Sequence, residues 1–121
     1  MQDDTKKNFL DILVGEKLSS VTFVMDYLQA DFDGNSFTFY IWPVITVENI
    51  EYKFGDSLYR DKLCSLIARV VDHSIFVDKK EIVIGFDNKD KLFLSLDPNN
   101  PDIVAEIAIF TDADGKWYFF E

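Results

Sequence analysis

Hydrophobic positions along this chain recur with two periods, and the period changes where turn-forming residues intervene. Phe9, Ile12 and Leu13 fall on one face of a helix over Lys6 to Val14, with Asp4 or Thr5 as its cap and Gly15 as its stop. Tyr59, Leu63, Leu66 and Ile67 repeat that spacing over Leu58 to Ala68, behind Asp56 or Ser57 as the cap. Elsewhere the period drops to two. Leu18 to Asp26 and Val70 to Val77 are rich in β-branched residues and read as strands. Asp33-Gly34-Asn35 and Asp87-Asn88-Lys89-Asp90 read as hairpin turns, because Asp, Asn and Gly tolerate positive φ. After the first turn, Phe37, Phe39 and Ile41 face one way while Ser36, Thr38 and Tyr40 face the other. Pro43 ends that strand and Pro98 its counterpart, since proline has no N–H to give a ladder. A last hairpin pairs Ile103 to Phe110 with Lys116 to Phe120 across Thr111 to Gly115. Its aromatic run, Trp117 to Phe120, needs cover on at least one face. This order predicts an α+β fold, an antiparallel sheet with helices on one side, in a single domain over 1–121.

The same succession is written twice. Leu13 to Phe23 matches Leu66 to Phe76, and Phe32 to Pro43 matches Phe86 to Pro98. Past the prolines, Pro43, Ile45, Glu48, Ile50 and Tyr52 match Pro101, Ile103, Glu106, Ala108 and Phe110 at a constant offset. The pattern predicts an internal duplication into helix-plus-hairpin units at 4–54 and 56–110, with a closing strand at 116–120.

Composition narrows the partners. Twelve Lys and Arg stand against twenty-two Asp and Glu, for a formal charge of −10. Such a surface repels phosphate backbones and anionic membranes and attracts basic proteins at long range. Arg60 and Arg69 are the only arginines, too few for a cluster of bidentate phosphate clamps. Neither nucleic acid nor membrane is therefore an expected partner. The amino-terminal residues are acidic, and the apolar stretch Phe9 to Val14 is too short for a signal peptide, so a cytoplasmic location is expected. One cysteine, Cys64, suits a reducing compartment and reads as a small buried residue on a helix face.

Catalytic chemistry finds little to work with. His73, the single histidine, opens a predicted strand with no nucleophile spaced to it. One His and one Cys cannot make a tetrahedral zinc site. Asp31-Phe32-Asp33-Gly34-Asn35 and Asp112-Ala113-Asp114-Gly115 open like calcium loops but continue into apolar strands, so turn chemistry accounts for them. No cofactor and no metal is expected. Glu48 and Glu106, matched across the units, are either strand or loop residues with their heads in water or partners for a cation, from this chain or another.

The second unit also carries a likeness. Leu66-Ile67, the hairpin at Phe86-Asp87, Leu94-Ser95-Leu96-Asp97-Pro98, Glu106, Phe110 and Trp117-Tyr118-Phe119 resemble a group of small bacterial proteins, some of which look like immunity proteins of polymorphic or contact-dependent toxin systems. The resemblance spans residues 64 to 120. Ala68 stands where that group has glycine, and a glycine-proline before the glutamate is missing. The resemblance implies no catalytic residues. It implies a non-enzymatic, immunity- or antitoxin-type domain that neutralises a basic toxin domain, such as a nuclease. The residues expected to bind that partner are Asp31, Asp33, Asp87 and Asp90, then Asp112 and Asp114, with Glu48 and Glu106. The alternative is a self-associating structural module, a homodimer joined through the final aromatic strand or the Phe37/Phe39/Ile41 face. A third class, a small ligand-binding or catalytic domain using carboxylates and aromatics in a cleft, has no spacing signature behind it.

Overall fold

The computed structural model describes residues 9–99 and 107–120. The chain opens with a 3₁₀ turn at Phe9–Leu13, followed by strands β1 (Ser20–Val24), β2 (Tyr27–Phe32), β3 (Asn35–Phe39), β4 (Val44–Val47) and β5 (Ile50–Tyr52). A short helix, α1 (Tyr59–Cys64), leads into β6 (Val71–Val77), β7 (Glu81–Phe86), β8 (Lys91–Ser95), β9 (Ala108–Thr111) and β10 (Trp117–Phe120). The strands form two antiparallel five-stranded sheets, in the orders β1-β2-β3-β9-β10 and β5-β4-β8-β7-β6.

The α+β expectation is thus overturned: the fold is mostly β, with one short helix and one 3₁₀ turn beside the two sheets among the described residues. The cause is non-local. Gly15 at φ 90° and Ala68 at φ 78° turn both helical segments out of the right-handed region. The residues beyond them pair with each other. Gly15 N–H donates to the Val71 carbonyl and Val71 N–H to Glu16, while Leu18 N–H donates to Arg69 and Ala68 N–H to Leu18. Donors that would have extended the second helix are spent across the chain. Tight 3₁₀ winding also rotates the first face, so that Phe9, Leu10 and Leu13 are buried but Ile12 is exposed. Ile67, expected on the inner face of the second helix, is likewise exposed. Neither expected cap of that helix acts as one. Leu58 holds the cap position without a side-chain bond, and the Asp56 carboxylate accepts the Lys53 N–H instead, at 2.8 Å. Cys64 is exposed, not buried. Asp4, Thr5, Lys6, Pro101, Ile103 and Glu106 lie outside the described residues.

Each sheet is built from both halves of the chain. The meander β1-β2-β3 is completed by the hairpin β9–β10, and the meander β6-β7-β8 by the hairpin β4–β5. Ladder registers fix which residues correspond between halves. Leu28 sits between Phe23 and Phe39 as Ile82 sits between Phe76 and Leu94. Phe37 faces Phe110 across the β3–β9 ladder, and Leu92 faces Ile45 across β8–β4, so Ile45 corresponds to Phe110. The constant offset read past the prolines, which matched Ile45 to Ile103 and Tyr52 to Phe110, is therefore corrected. Tyr52 pairs with Ile45, and its counterpart is Tyr118, which pairs with Phe110. The connection from β8 to β9 is longer than the one from β3 to β4, which shifts the register, and low sequence identity hides it. The halves also meet at the isolated antiparallel Lys17–Val70 bridge.

Both sheets contribute to one apolar cluster. Inward-facing Leu28, Phe32, Phe37, Phe39 and Phe110 from the first meet Ile45, Ile82, Ile84, Phe86 and Leu92 from the second. Alternation along each strand produces this face, and burying each such side chain contributes about 1.5–3 kcal/mol. At one end of the cluster Phe9 acts as a plug. Its ring stacks on Tyr118 at 4.3 Å and lies 5.5–5.8 Å from Phe76, Phe110 and Phe120.

Candidate functional site

Hairpin turns need carboxylates and amides for backbone reasons, and these turns gather the acids at the ends of the sheets. In the first sheet the β2–β3 turn and the β9–β10 turn are neighbours. The Ala113 N–H donates to Asn35 Oδ1 at 2.9 Å, and a Cβ added at Gly34 would lie 3.6 Å from that of Ala113. Asp31, Asp33, Asp112 and Asp114 are thereby brought to one end of one sheet. Asp87 and Glu48 stand on the corresponding turns of the second sheet.

These acids are not equivalent. Asp31 Oδ2 accepts from Ser19 Oγ at 3.1 Å and from Gly34 N–H at 3.4 Å. Asp112 Oδ1 accepts the N–H groups of Asp114 and Lys116, both at 3.0 Å, so its carboxylate closes its own loop. Asp90, expected on an exposed turn, is only 6% exposed; its Oδ1 accepts the Glu48 N–H at 3.0 Å and its Oδ2 the Asn88 amide at 2.9 Å. It is a structural residue and leaves the set of contact candidates. The Glu48 side chain lies 4.0 Å from Lys62 Nζ, largely in water. Exposed carboxylates without a side-chain partner among the described residues remain at Asp33, Asp87 and Asp114. Glu106 lies outside the described residues.

The first and second halves meet between these acidic ends. Asp87 N–H donates to the Val70 carbonyl, and Ser19 N–H to the Asp31 carbonyl, on either side of the Lys17–Val70 bridge. A cleft of about 480 Å³ opens there, walled by Gly15, Glu16, Ser19, Asp33, Ile67 and Ala68. His73 is elsewhere, in a bulged register of β6, with its ring over Gly85 and Nδ1 3.2 Å from Asp72 Oδ2. Among the described residues its ring meets no nucleophilic side chain.

A second concave region, which periodicity did not indicate, lies at the far end of the first sheet. Trp42 stacks on Phe54 at 4.2 Å and on Phe23 at 6.2 Å, and Arg60 Cζ lies 5.9 Å from the Phe23 ring. Tyr59 meets both Trp42 and Phe54 edge-on, and its hydroxyl donates to the Pro43 carbonyl. Only the aromatic content of the sequence hinted at it. Among the described residues no group of three or more His, Cys, Asp or Glu could hold a metal ion. No helix among them is long and apolar enough to cross a membrane. No protein family model, no curated protein and no solved structure matches the chain.

Proposed function

We propose that this chain is a non-enzymatic binding domain of the immunity or antitoxin type, which neutralises a basic protein domain through its acidic turns. The observation that supports the reading is the gathering of four turn acids at one end of the first sheet, on two loops tied together by the Ala113–Asn35 hydrogen bond. Loops fixed in this way present Asp33 and Asp114 without an ordering cost on binding. A chain carrying −10 steers a basic partner onto such a surface and raises the association rate. The partner is a basic domain, a nuclease toxin being the kind that the charge suits.

The test is capture from the native cell at low and at physiological salt, beside an Asp33→Lys/Asp114→Lys variant of unchanged stability. One strongly basic protein, retained by the parent, weakened by salt and lost on the variant, is the expected result. Equal capture by parent and variant removes the acidic turns from the mechanism. Survival of cells that express the basic partner only when this chain is co-expressed then tests neutralisation itself.

One observation favours a second reading, a self-associating module. On the edge strand β10 the outward rings of Trp117 and Phe119 are 58% and 55% exposed and stack on each other at 6.0 Å. Edge strands with apolar faces pair with other chains. Light scattering across a concentration series decides it: a dimer abolished by Trp117→Lys supports the module, and a monomer throughout retires it.

A further inference from the structure

The two halves of the chain finish their exchanged hairpins differently. Tyr52 of β5 and Tyr118 of β10 hold corresponding places, so Glu51 corresponds to Trp117 and Lys53 to Phe119. Both strands are the last of their sheets, with one side of the ladder open. Backbone bonds show which residues face that side. Tyr40 N–H donates to the Ile107 carbonyl across β3–β9, and Asp112 N–H to the Lys116 carbonyl across the last hairpin. Antiparallel ladders alternate, so Tyr118 bonds to Phe110, while the N–H and C=O groups of Trp117 and Phe119 point away from β9. The two-residue turn at Glu48 and Asn49, with φ of 53° and 67°, sets the same alternation on β5 and aims Glu51 and Lys53 away from β4.

On β5 that side is closed. Asp56 Oδ2 accepts the Lys53 N–H at 2.8 Å, and the Asp56 N–H donates to the Lys53 carbonyl at 3.0 Å. The exposed charges of Glu51 and Lys53 also discourage a further strand. On β10 neither device is present. The backbone groups of Trp117 and Phe119 have no partner among the described residues, and their side chains are exposed rings.

We propose that β10 pairs with β10 of a second copy of this chain, antiparallel about a two-fold axis at Tyr118, joining two first sheets into one of ten strands. The inference rests on the self-associating reading and gives it a register. Across such a seam outward residues meet outward residues, and free backbone groups must meet free ones. Trp117 opposite Phe119 of the second copy satisfies both conditions, and the two-fold axis repeats the pair, so all four edge groups of each strand are bonded. The four rings then lie together on the outer face as cross-strand pairs. Charge favours a second copy over a basic partner at this strand. Copies at −10 each repel, so a contact between them must avoid acids, whereas a basic partner must find them. Neither Ala108–Thr111 nor Trp117–Phe120 contains an acid, and the next outward residues, Ser36 and Thr38, are uncharged.

The test is analytical ultracentrifugation of the full chain over a concentration series, at low and at high salt, with amide hydrogen exchange on the same samples. The expected result is a monomer–dimer equilibrium that tightens as salt screens the repulsion, the opposite sign to capture of a basic partner. The Trp117 and Phe119 amides, fast in the dilute chain, slow by about tenfold or more at high concentration. The Tyr118 amide, already bonded to Phe110, is slow throughout. Phe119→Lys, at an exposed side chain, leaves the monomer folded and abolishes the dimer. A dimer that survives Phe119→Lys, or that forms without slowing those two amides, overturns the β10 pairing and leaves self-association through another face. A monomer at every concentration and salt overturns both.

Discussion

Asn35 and Asp90 hold corresponding places at the β2–β3 and β7–β8 turns, and each secures a hairpin that belongs to the other half of the chain. Asn35 Oδ1 accepts the Ala113 N–H at 2.9 Å, in the β9–β10 turn. Asp90 Oδ1 accepts the Glu48 N–H at 3.0 Å, in the β4–β5 turn. They are the buried polar side chains among the described residues, at 7% and 6% exposure. A buried polar group is retained at such a cost only when it is bonded, and here the bond fixes the register of an exchanged hairpin.

Removing either acceptor leaves a turn N–H without its partner. Asn35→Ala and Asp90→Ala should each cost about 1–3 kcal/mol by urea denaturation. Because the two positions sit in different sheets and bond to different turns, the double variant should be close to the sum of the singles. A loss shared between them, so that the second change costs nothing, would refute independent fastening.

Gly15 and Ala68 form a second matched pair, both left-handed, where only glycine is free of strain. Ala68→Gly should raise stability by about 0.5–1 kcal/mol, and Gly15→Ala should lower it by a similar amount. Thermal unfolding of the two variants beside the parent checks the opposite signs.

Burial pushes the Tyr59 phenol above its ordinary range, so the folded protein keeps it neutral. The unfolded chain ionises it near pH 10. With the folded pKa raised, the contribution is whole below about pH 10 and is lost as pH climbs beyond, by up to about 1.4 kcal/mol per pH unit. Tyr59→Phe should flatten that alkaline decline. It should also cost about 1 kcal/mol at neutral pH, through the hydrogen bond to Pro43. Urea midpoints between pH 7 and pH 11 separate the two effects.

Phe9 is the plug of its aromatic cluster, and Phe9→Ala should cost about 3–5 kcal/mol. A value under about 1 kcal/mol would show that the plug is dispensable.

Turns and strands were the legible part of this chain. Asp33-Gly34 and Asp87-Asn88 carry the backbone requirement of a tight turn in their own chemistry, and the alternation at Phe37 and Phe39 records which face is buried. Helices were over-read because Leu63, Leu66 and Ile67 satisfy helical spacing, while the competing partner for Ala68 N–H, the Leu18 carbonyl, lies fifty residues away. Acidic turns were found correctly as turns, yet nothing local distinguishes buried Asp90 from exposed Asp87. The difference lies in a hairpin arriving from the first half. Trp42 and Phe54 share no period, so their stack was invisible until Tyr59 and the β5 edge placed them together.

The exchange of hairpins sets an order on biosynthesis. A ribosome releases β1, β2 and β3 early, but the strand that covers the open side of β3 is β9, and β10 must close beside it. Until the last residues of β10 leave the exit tunnel, the first sheet has an uncovered interior edge and Phe37 lacks its neighbour Phe110. The nascent chain therefore carries an incomplete first sheet until β9 and β10 have both emerged. A stalled product lacking β9 and β10 would present that edge to any strand within reach, making loss of that hairpin a route to aggregation.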